Sequence, residues 1–318
     1  MKEAEIHDVI IVGGGPAGLT AAAYLGRKAL HAIIITQNIG GQALLSIGIE
    51  NYMGYQFVAG QELMNKFEEQ VHQYNVKTVY DEVTKVYKEN DRFVAFTANS
   101  EKFYGKAVIL ATGKRSRTLN AKGIDSYIGR GVSYCATCDG PLFAGLDVAV
   151  IGGGNSAVTT GIELKDIAQK VYMISRNPWR ADEIYIEKLK DAPNVEVLIG
   201  YEVVEIVGND TVRAAVIQKI SDKSRETIAL QGIFVEIGLI PNSHMVKDLV
   251  ALNQDSEIIV GCDCSTSLPG VFGAGDVTSV PEKQIIVAAG EGAKAAISAY
   301  KYLLRGGEQV VRILTVRC

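Results

Sequence analysis

One pattern occurs twice in this chain and restricts its fold more than any other feature: a β-branched run breaks into a glycine-rich turn and then a helical stretch. In the first copy Asp8-Val9-Ile10-Ile11-Val12 leads into Gly13-Gly14-Gly15-Pro16-Ala17-Gly18. An Ala/Leu-rich helical stretch continues to about Arg27, and Ala32-Ile33-Ile34-Ile35-Thr36 reads as the next strand. In the second copy Asp147-Val148-Ala149-Val150-Ile151 leads into Gly152-Gly153-Gly154-Asn155-Ser156-Ala157. A helical stretch and the strand-like Lys170-Val171-Tyr172-Met173-Ile174 follow. Each turn matches Gly-x-Gly-x-x-Gly/Ala in the βαβ context that such a match requires. Gly13 permits the tight turn, Gly15 lets backbone approach a pyrophosphate, and Gly18 lets the helix pack closely on the strand. The helix N-terminus offers N–H groups and partial positive charge to phosphates. Two copies in context point to two dinucleotide sites.

Three further strand-to-loop transitions fit the same architecture. Ala107-Val108-Ile109-Leu110 runs into Ala111-Thr112-Gly113, Ile233-Phe234-Val235 into Gly238-Leu239-Ile240-Pro241-Asn242, and Gly270-Val271-Phe272 into Gly273-Ala274-Gly275-Asp276. Val287 to Leu304 is Ala-rich and helical in its spacing. A chain of 318 residues is long enough for two domains. The expected fold is α/β: two Rossmann-like (three-layer) dinucleotide-binding domains, the second inserted into the first. Residues 1–117 and 247–318 form one domain in this reading and residues 118–246 the other.

Composition narrows the function classes. A net charge of −4 gives no electrostatic footprint for nucleic acid, and no basic cluster points to an anionic membrane. Apolar runs such as Val9-Ile10-Ile11-Val12 are far too short to span a bilayer. Met1-Lys2-Glu3-Ala4-Glu5 carries acids and runs straight into a strand pattern, so no secretory signal is expected and a cytoplasmic location is.

Between the two glycine-rich turns lies Cys135-Ala136-Thr137-Cys138-Asp139. Thiols three positions apart can close a small, readily reduced disulfide, and Asp139 beside them can manage its protons. The plainer role for Asp139 is a turn or helix cap. The five cysteines do not form a secreted disulfide framework. A zinc site needs four ligands and Cys262-Asp263-Cys264 is the only other cluster, so no metal is expected. Cys262 and Cys264 read as ordinary thiols on one face of a strand, and Cys318 as a mobile terminal thiol. His7, His31, His72 and His244 read as scattered surface or core residues. The alternating tail from Val310 to Val316 is compatible with sheet-edge pairing, a subunit contact or disorder.

Taken in order, these motifs resemble the low-molecular-weight thioredoxin reductases over nearly the whole chain. Gly13-x-Gly15-x-x-Gly18, Gly40-Gly41-Gln42, Glu50-Asn51-Tyr52-x-Gly54, Ala111-Thr112-Gly113, Cys135-Ala-Thr-Cys138-Asp139, Gly152-x-Gly154-x-x-Ala157 and Gly273-Ala-Gly-Asp276 carry the match. Lys283-Gln284-Ile285-Ile286 through Gly290-Glu291-Gly292 also resembles the flavoprotein half of alkyl hydroperoxide reductase. A thioredoxin-like region precedes the reductase in that relative, and none is expected before Asp8 here.

The resemblance implies a relay from a nicotinamide cofactor through FAD to the Cys135–Cys138 disulfide, and on to thioredoxin or a thioredoxin-like protein. It places FAD on Gly13, Gly15, Pro16, Ala17 and Gly18, with Ala111, Thr112, Gly113, Gly275 and Asp276 nearby. Gly41, Gln42, Asn51, Gln284 and Ile285 would surround the flavin ring. A helix starting near Gln284 would aim its positive end at that ring. The nicotinamide cofactor is expected on Gly152, Gly154, Asn155, Ser156 and Ala157.

For the 2′-phosphate of NADPH the family uses a His-Arg-Arg run plus a further arginine. Here Ser175-Arg176-Asn177-Pro178-Trp179-Arg180 keeps two arginines, Arg176 and Arg180, either able to bond a phosphate. NADPH is the expected donor, with NADH or ferredoxin as alternatives. A peroxiredoxin or glutaredoxin-like acceptor is the alternative partner, and a flavin redox sensor without turnover the distant one. The resemblance also implies a homodimer, and hinge strands near Lys114–Thr118 and Pro241–His244 about which the middle domain would rotate.

Overall fold

The computed structural model describes residues 5–46, 48–117 and 119–306. They fall into two compact units: Met1–Leu44, Gln61–Arg115 and Ile240–Cys318 form the first, Leu45–Gly60 and Ser116–Leu239 the second. Leu45–Gly60, expected in the first domain, groups with the second unit, and the later changeovers at Arg115/Ser116 and Leu239/Ile240 fall a few residues ahead of the expected positions.

The first unit is built on a mixed sheet. Strands β1 (Ile6–Gly14), β2 (Ala32–Ile39), β3 (Lys77–Tyr80) and β6 (Lys102–Leu110) are parallel in the order β3-β2-β1-β6. The leading half of β6 pairs antiparallel with β5 (Arg92–Thr97), itself paired to β4 (Val83–Glu89). Its final residues pair in parallel with β17 (Val271–Gly273). The middle of β1 is buried on both faces, which explains why Val9-Ile10-Ile11-Val12 is unbroken by polar residues.

Helix α1 (Pro16–Gly26) follows β1, α2 (Gly60–His72) precedes β3, and α7 (Ile285–Leu304) closes the described chain. Ala21, Ala22, Ala295, Ala296 and Ala299 are wholly buried in the core that α1 and α7 share. Small side chains let the two backbones approach. A Cβ on Gly292 would lie 2.1 Å from the Ala17 carbonyl oxygen, so the Ala/Gly composition of α7 is a packing requirement.

The second unit repeats the plan. Strands β8 (Val132–Ser133), β9 (Asp147–Ile151), β10 (Lys170–Ser175), β11 (Val195–Ile199) and β15 (Gly232–Val235) form a parallel sheet ordered β11-β10-β9-β15-β8. Short helices α3 (Ile124–Tyr127) and α4 (Ala136–Asp139) precede β9, whereas α5 (Asn155–Lys165) and α6 (Glu183–Lys190) follow it. An antiparallel ribbon of β12 (Tyr201–Gly208), β13 (Val212–Lys219) and β14 (Arg225–Ala229) completes the unit. The expected Rossmann-like repeat is therefore present. The chain changes unit within β7 (Lys114–Ser116) and again within β16 (Leu239–Pro241), and these two strands pair with each other. Thr118, the end of the first expected hinge, lies outside the described residues.

Two sequence readings need correction. Residues 262–264 form a turn, because the Asp263 carboxylate accepts both the N–H (3.1 Å) and the hydroxyl (2.6 Å) of Ser265 and diverts the extended run. Cys264 has a left-handed φ of 65° and is buried, whereas Cys262 is exposed, so the two do not share a face. Burial pushes the Cys264 thiol up to about 12, leaving it protonated and unreactive. The histidines are also not all scattered. Parallel pairing sets Val9 opposite Ala32, which brings the start of β1 beside His31, and the rings of His7 and His31 lie with centroids 4.5 Å apart, tilted by 40°. The tail to Cys318, from residue 307, lies outside the described residues.

Candidate active site

In the first unit the turn after β1 is held by contacts that leave one side open. Gly13 has φ +111°, and a Cβ there would lie 2.2 Å from the Ala111 oxygen; a Cβ on Gly18 would lie 1.9 Å from the Gly13 oxygen. Gly15, by contrast, faces open space. It precedes Pro16 at the start of α1 without a side-chain cap, so this helix end is free to meet an anion. Where many dinucleotide folds place an acid at the end of β2, this chain has Thr36. Its hydroxyl accepts the Gly14 N–H (2.9 Å) and donates to the Asn38 oxygen (2.7 Å), fixing the turn rather than reaching outward.

Several expected residues converge beside it. Gly41 donates its N–H to Asn38 Oδ1 (3.3 Å), and a Cβ on Gly41 would lie 3.6 Å from the Gly15 Cα. The Gln42 amide donates to the Lys114 carbonyl, just past Ala111-Thr112-Gly113. Thr112 Oγ1 donates to the Asn242 oxygen (2.6 Å), and Asn242 returns a bond to the Thr112 oxygen (2.9 Å). On the other flank the Gly275 N–H donates to Glu291 Oε2 (2.7 Å), and Gln284 is the N-cap residue of α7, directly ahead of Ile285. Asn51, expected beside Gly41 and Gln42, is exposed and belongs to the second unit.

Lys114, Glu257, Lys283 and Glu291 lie here although sequence reasoning assigned none of them a role in the site. Lys114 Nζ lies 2.6 Å and Lys283 Nζ 3.4 Å from Glu257 Oε1, all three side chains largely shielded from water. Burial raises Glu257, but the bonds from Lys114 and Asn253 bring it below the usual carboxylate range. Burial raises the Asp276 carboxyl, against the pull of Lys283 and Lys114. Burial likewise raises Glu291, whose bond from Gly275 opposes the shift. A glutamate inside an otherwise Ala-rich helix was the available signal for Glu291; the lysine pair had none, because Lys114, Glu257 and Lys283 meet only on folding.

In the second unit a Cβ on Gly152 would lie 2.2 Å from the Glu236 oxygen, while Gly154 faces open space. Asn155 Nδ2 donates to Asp182 Oδ2 (3.2 Å) and Asn155 Oδ1 accepts the Asp182 backbone N–H (2.8 Å), Ser156 donates to the Glu236 carboxylate, and Ala157 is wholly buried beneath the helix start. Burial raises Glu236, against the bonds from Ser156 and Thr160. Ser175 ends β10 and donates to the Asn177 oxygen (2.9 Å), as Thr36 within β2 donates to the Asn38 oxygen. Arg176 and Arg180 are exposed, and the Arg180 N–H donates to the Gly153 oxygen (2.7 Å), tying that arginine to the turn.

Cys135 and Cys138 form a disulfide with Cα atoms 5.3 Å apart, at the start of α4. Both are half-buried, whereas Asp139 and Ser133 are each 1% exposed. The Ser133 hydroxyl donates to Asp139 Oδ2 (2.6 Å) and accepts the Cys135 N–H (3.0 Å). Asp139 makes no side-chain cap bond. One hydroxyl thus ties the disulfide to its neighbouring acid, and sequence reasoning had passed Ser133 over.

The family model for pyridine nucleotide-disulphide oxidoreductases matches residues 7–292. The chain belongs to this family. Among curated members, the alkyl hydroperoxide reductase F protein of Pseudomonas putida is 43% identical over 95% of this chain. A Bacillus subtilis protein named NADH dehydrogenase is 39% identical over the same share. The chain spans 59% of the length of each. Among solved oxidoreductases of this type, thioredoxin reductase from Streptococcus pyogenes superposes with a TM-score of 0.90 at 38% identity, covering 94% of this chain and 99% of that one. The thioredoxin reductase of Giardia duodenalis gives 0.88 at 29%, with the same coverage. The resemblance to low-molecular-weight thioredoxin reductases and to the alkyl hydroperoxide reductase flavoprotein therefore holds. Membership implies binding of FAD and a nicotinamide dinucleotide. Both glycine-rich turns fit such groups, with an open position at Gly15 or Gly154 ahead of a helix start that no side chain caps. Among the described residues no helix is long and apolar enough to cross a membrane.

Proposed function

We propose that this oxidoreductase is a flavoprotein disulfide reductase that takes electrons from NADPH and passes them to thioredoxin or a thioredoxin-like protein through Cys135 and Cys138. The observation that carries the reading is the Cys135–Cys138 disulfide joined to buried Asp139 through Ser133. A structural disulfide has no use for a buried acid hydrogen-bonded beside it; a disulfide that must be opened and protonated does.

The first unit is the FAD-binding domain in this reading. Gly13, Gly15 and Gly18 with the start of α1 would hold the pyrophosphate, Asp276 and Gly275 would line its neighbourhood, and Gly41, Gln42, Ala111–Gly113, Gln284 and Ile285 would bound the ring; Asn51 keeps the role that the resemblance alone gives it. FAD supplies the two-electron step between nicotinamide and disulfide. The second unit holds the nicotinamide dinucleotide on Gly152, Gly154, Asn155, Ser156 and Ala157, with Arg176 and Arg180 on its 2′-phosphate. When the S–S bond accepts two electrons, one sulfur leaves as a thiolate and Asp139 delivers its proton, held in place by Ser133. The paired strands β7 and β16 are the hinge that lets the second unit turn. The chain works in the cytoplasm as a homodimer.

A second reading is favoured by two observations: relatives named for alkyl hydroperoxide reductase and NADH dehydrogenase, and only two arginines after β10. It keeps the relay but takes NADH as donor and a peroxiredoxin-type disulfide as acceptor. One experiment separates the two. Purified, yellow protein is mixed with NADPH, NADH or reduced ferredoxin against thioredoxin, peroxiredoxin and glutaredoxin-like disulfides. Turnover with NADPH and thioredoxin supports the first reading. Turnover confined to NADH and the peroxiredoxin replaces it with the second, and no flavin bleaching by any donor sinks both.

A further inference from the structure

The edge of the first unit's sheet opposite the glycine-rich turn brings together three side chains that the relay does not use. Glu5 and His7 stand at the start of β1, and His31 stands just ahead of β2. Backbone bonds fix the two histidines: the Asp8 N–H donates to the His31 oxygen (2.7 Å), and the His31 N–H donates to Asp8 Oδ2 (3.0 Å). Their rings lie 4.5 Å apart, tilted by 40°, and Glu5 Oε1 is 3.3 Å from His31 Nε2. One ligand atom from each of the three lies within 4.8 Å of the other two.

We propose that Glu5, His7 and His31 bind one divalent transition-metal ion of the zinc–nickel–copper class. Two imidazoles and one carboxylate are a donor set for such ions, and not for magnesium or calcium, which take oxygen ligands. His7 supplies the second, independent observation. It is 2% exposed, yet its Nδ1 has no hydrogen-bond partner among the described residues. Leaving a buried nitrogen unpaired is destabilising, and a bound group would relieve that cost.

The reach is short. Three atoms bound at about 2.1 Å to one ion are about 3.4–3.6 Å apart, so a spread of up to 4.8 Å must close by up to about 1.4 Å. Glu5 and His31 are exposed and supply that movement. Other charges face the site as well. Lys77 on β3 repels a cation, whereas Asp8 draws one and is itself paired with Lys106 at 2.7 Å. From His7 to Gly13 along β1 is about 20 Å, so the ion would sit well away from the redox turn.

The test uses the full chain without a polyhistidine tag, FAD-loaded and oxidised so that Cys135 and Cys138 offer no thiolate. Zinc alone is titrated by calorimetry. The expected result is uptake of one ion per chain, weakened at least tenfold by His31→Gln or Glu5→Gln and tightened by Lys77→Gln, with circular dichroism unchanged. Copper(II) bound in place of zinc should show two coordinating nitrogens by electron paramagnetic resonance, and one in His31→Gln. Absence of saturable uptake, equal affinity in His31→Gln, or a single nitrogen in the unmodified chain overturns the proposal.

Discussion

Replacing Ser133 with alanine isolates the tie between the disulfide and Asp139. The substitution deletes the donor of a 2.6 Å bond to a buried carboxylate and the acceptor of a 3.0 Å bond from the Cys135 N–H. Once Asp139 has given up its proton the first bond faces a carboxylate, and a hydrogen bond to a charged group is worth roughly 1.5–3 kcal/mol, while a buried N–H left unpaired costs about 1–3 kcal/mol. Both losses act on folding, so denaturant titration should find the variant less stable by about 3–5 kcal/mol. Only the first acts on proton delivery, and 1.5–3 kcal/mol on a barrier slows that step roughly 10- to 100-fold. The assay is single-turnover reduction of the Cys135–Cys138 disulfide, followed by appearance of thiols. Ser133→Thr keeps the hydroxyl and should recover most of the rate. In an Asp139→Asn background the alanine substitution should cost little more, because the two residues then share one lost function. A rate within twofold of the unmodified chain would refute the reasoning. So would a full additive penalty in the Asp139→Asn background, which would place Ser133's effect on the Cys135 backbone alone.

Cys138→Ser should leave nicotinamide bleaching of the flavin intact and abolish turnover with any disulfide acceptor, read in a stopped-flow and a steady-state assay; surviving turnover removes the dithiol from the route. Gly18→Ala drives a Cβ into the Gly13 carbonyl at 1.9 Å, so a strain of about 3 kcal/mol in the turn should lower FAD occupancy, measured as the flavin-to-protein absorbance ratio. Glu291→Gln tests the buried carboxyl. Its folded-state pKa is raised, so the folded chain holds that proton more tightly and stability falls as pH rises from about 4.5 toward the raised value. Denaturation across that window should show the Gln variant gaining on the unmodified chain with rising pH, and parallel curves would count against the assigned shift.

Sequence alone determined the two βαβ turns, because each depends on local chemistry. A β-branched run buried on both faces cannot be mistaken for a loop, and Gly13 and Gly18 occupy places where any Cβ meets backbone at about 2 Å. The Cys-x-x-Cys spacing likewise allowed the disulfide, which closes because the chain turns into α4 at that point and brings the two Cα atoms to 5.3 Å. Where the local pattern had a competitor it failed: residues 262–264 alternate like a strand, but the Asp263 side chain outcompeted the ladder. Tertiary structure decided every partnership between residues far apart in the chain. Ser133 has an ordinary sequence context, yet it reaches Asp139 once β8 and α4 fix their separation. Lys114, Glu257 and Lys283 share one carboxylate oxygen across more than a hundred residues, and His7 meets His31 only because two parallel strands set their register. Helix and turn chemistry acts over a few residues and is written in order along the chain, whereas a buried charge or an imidazole pair takes its meaning from whichever strand lands beside it.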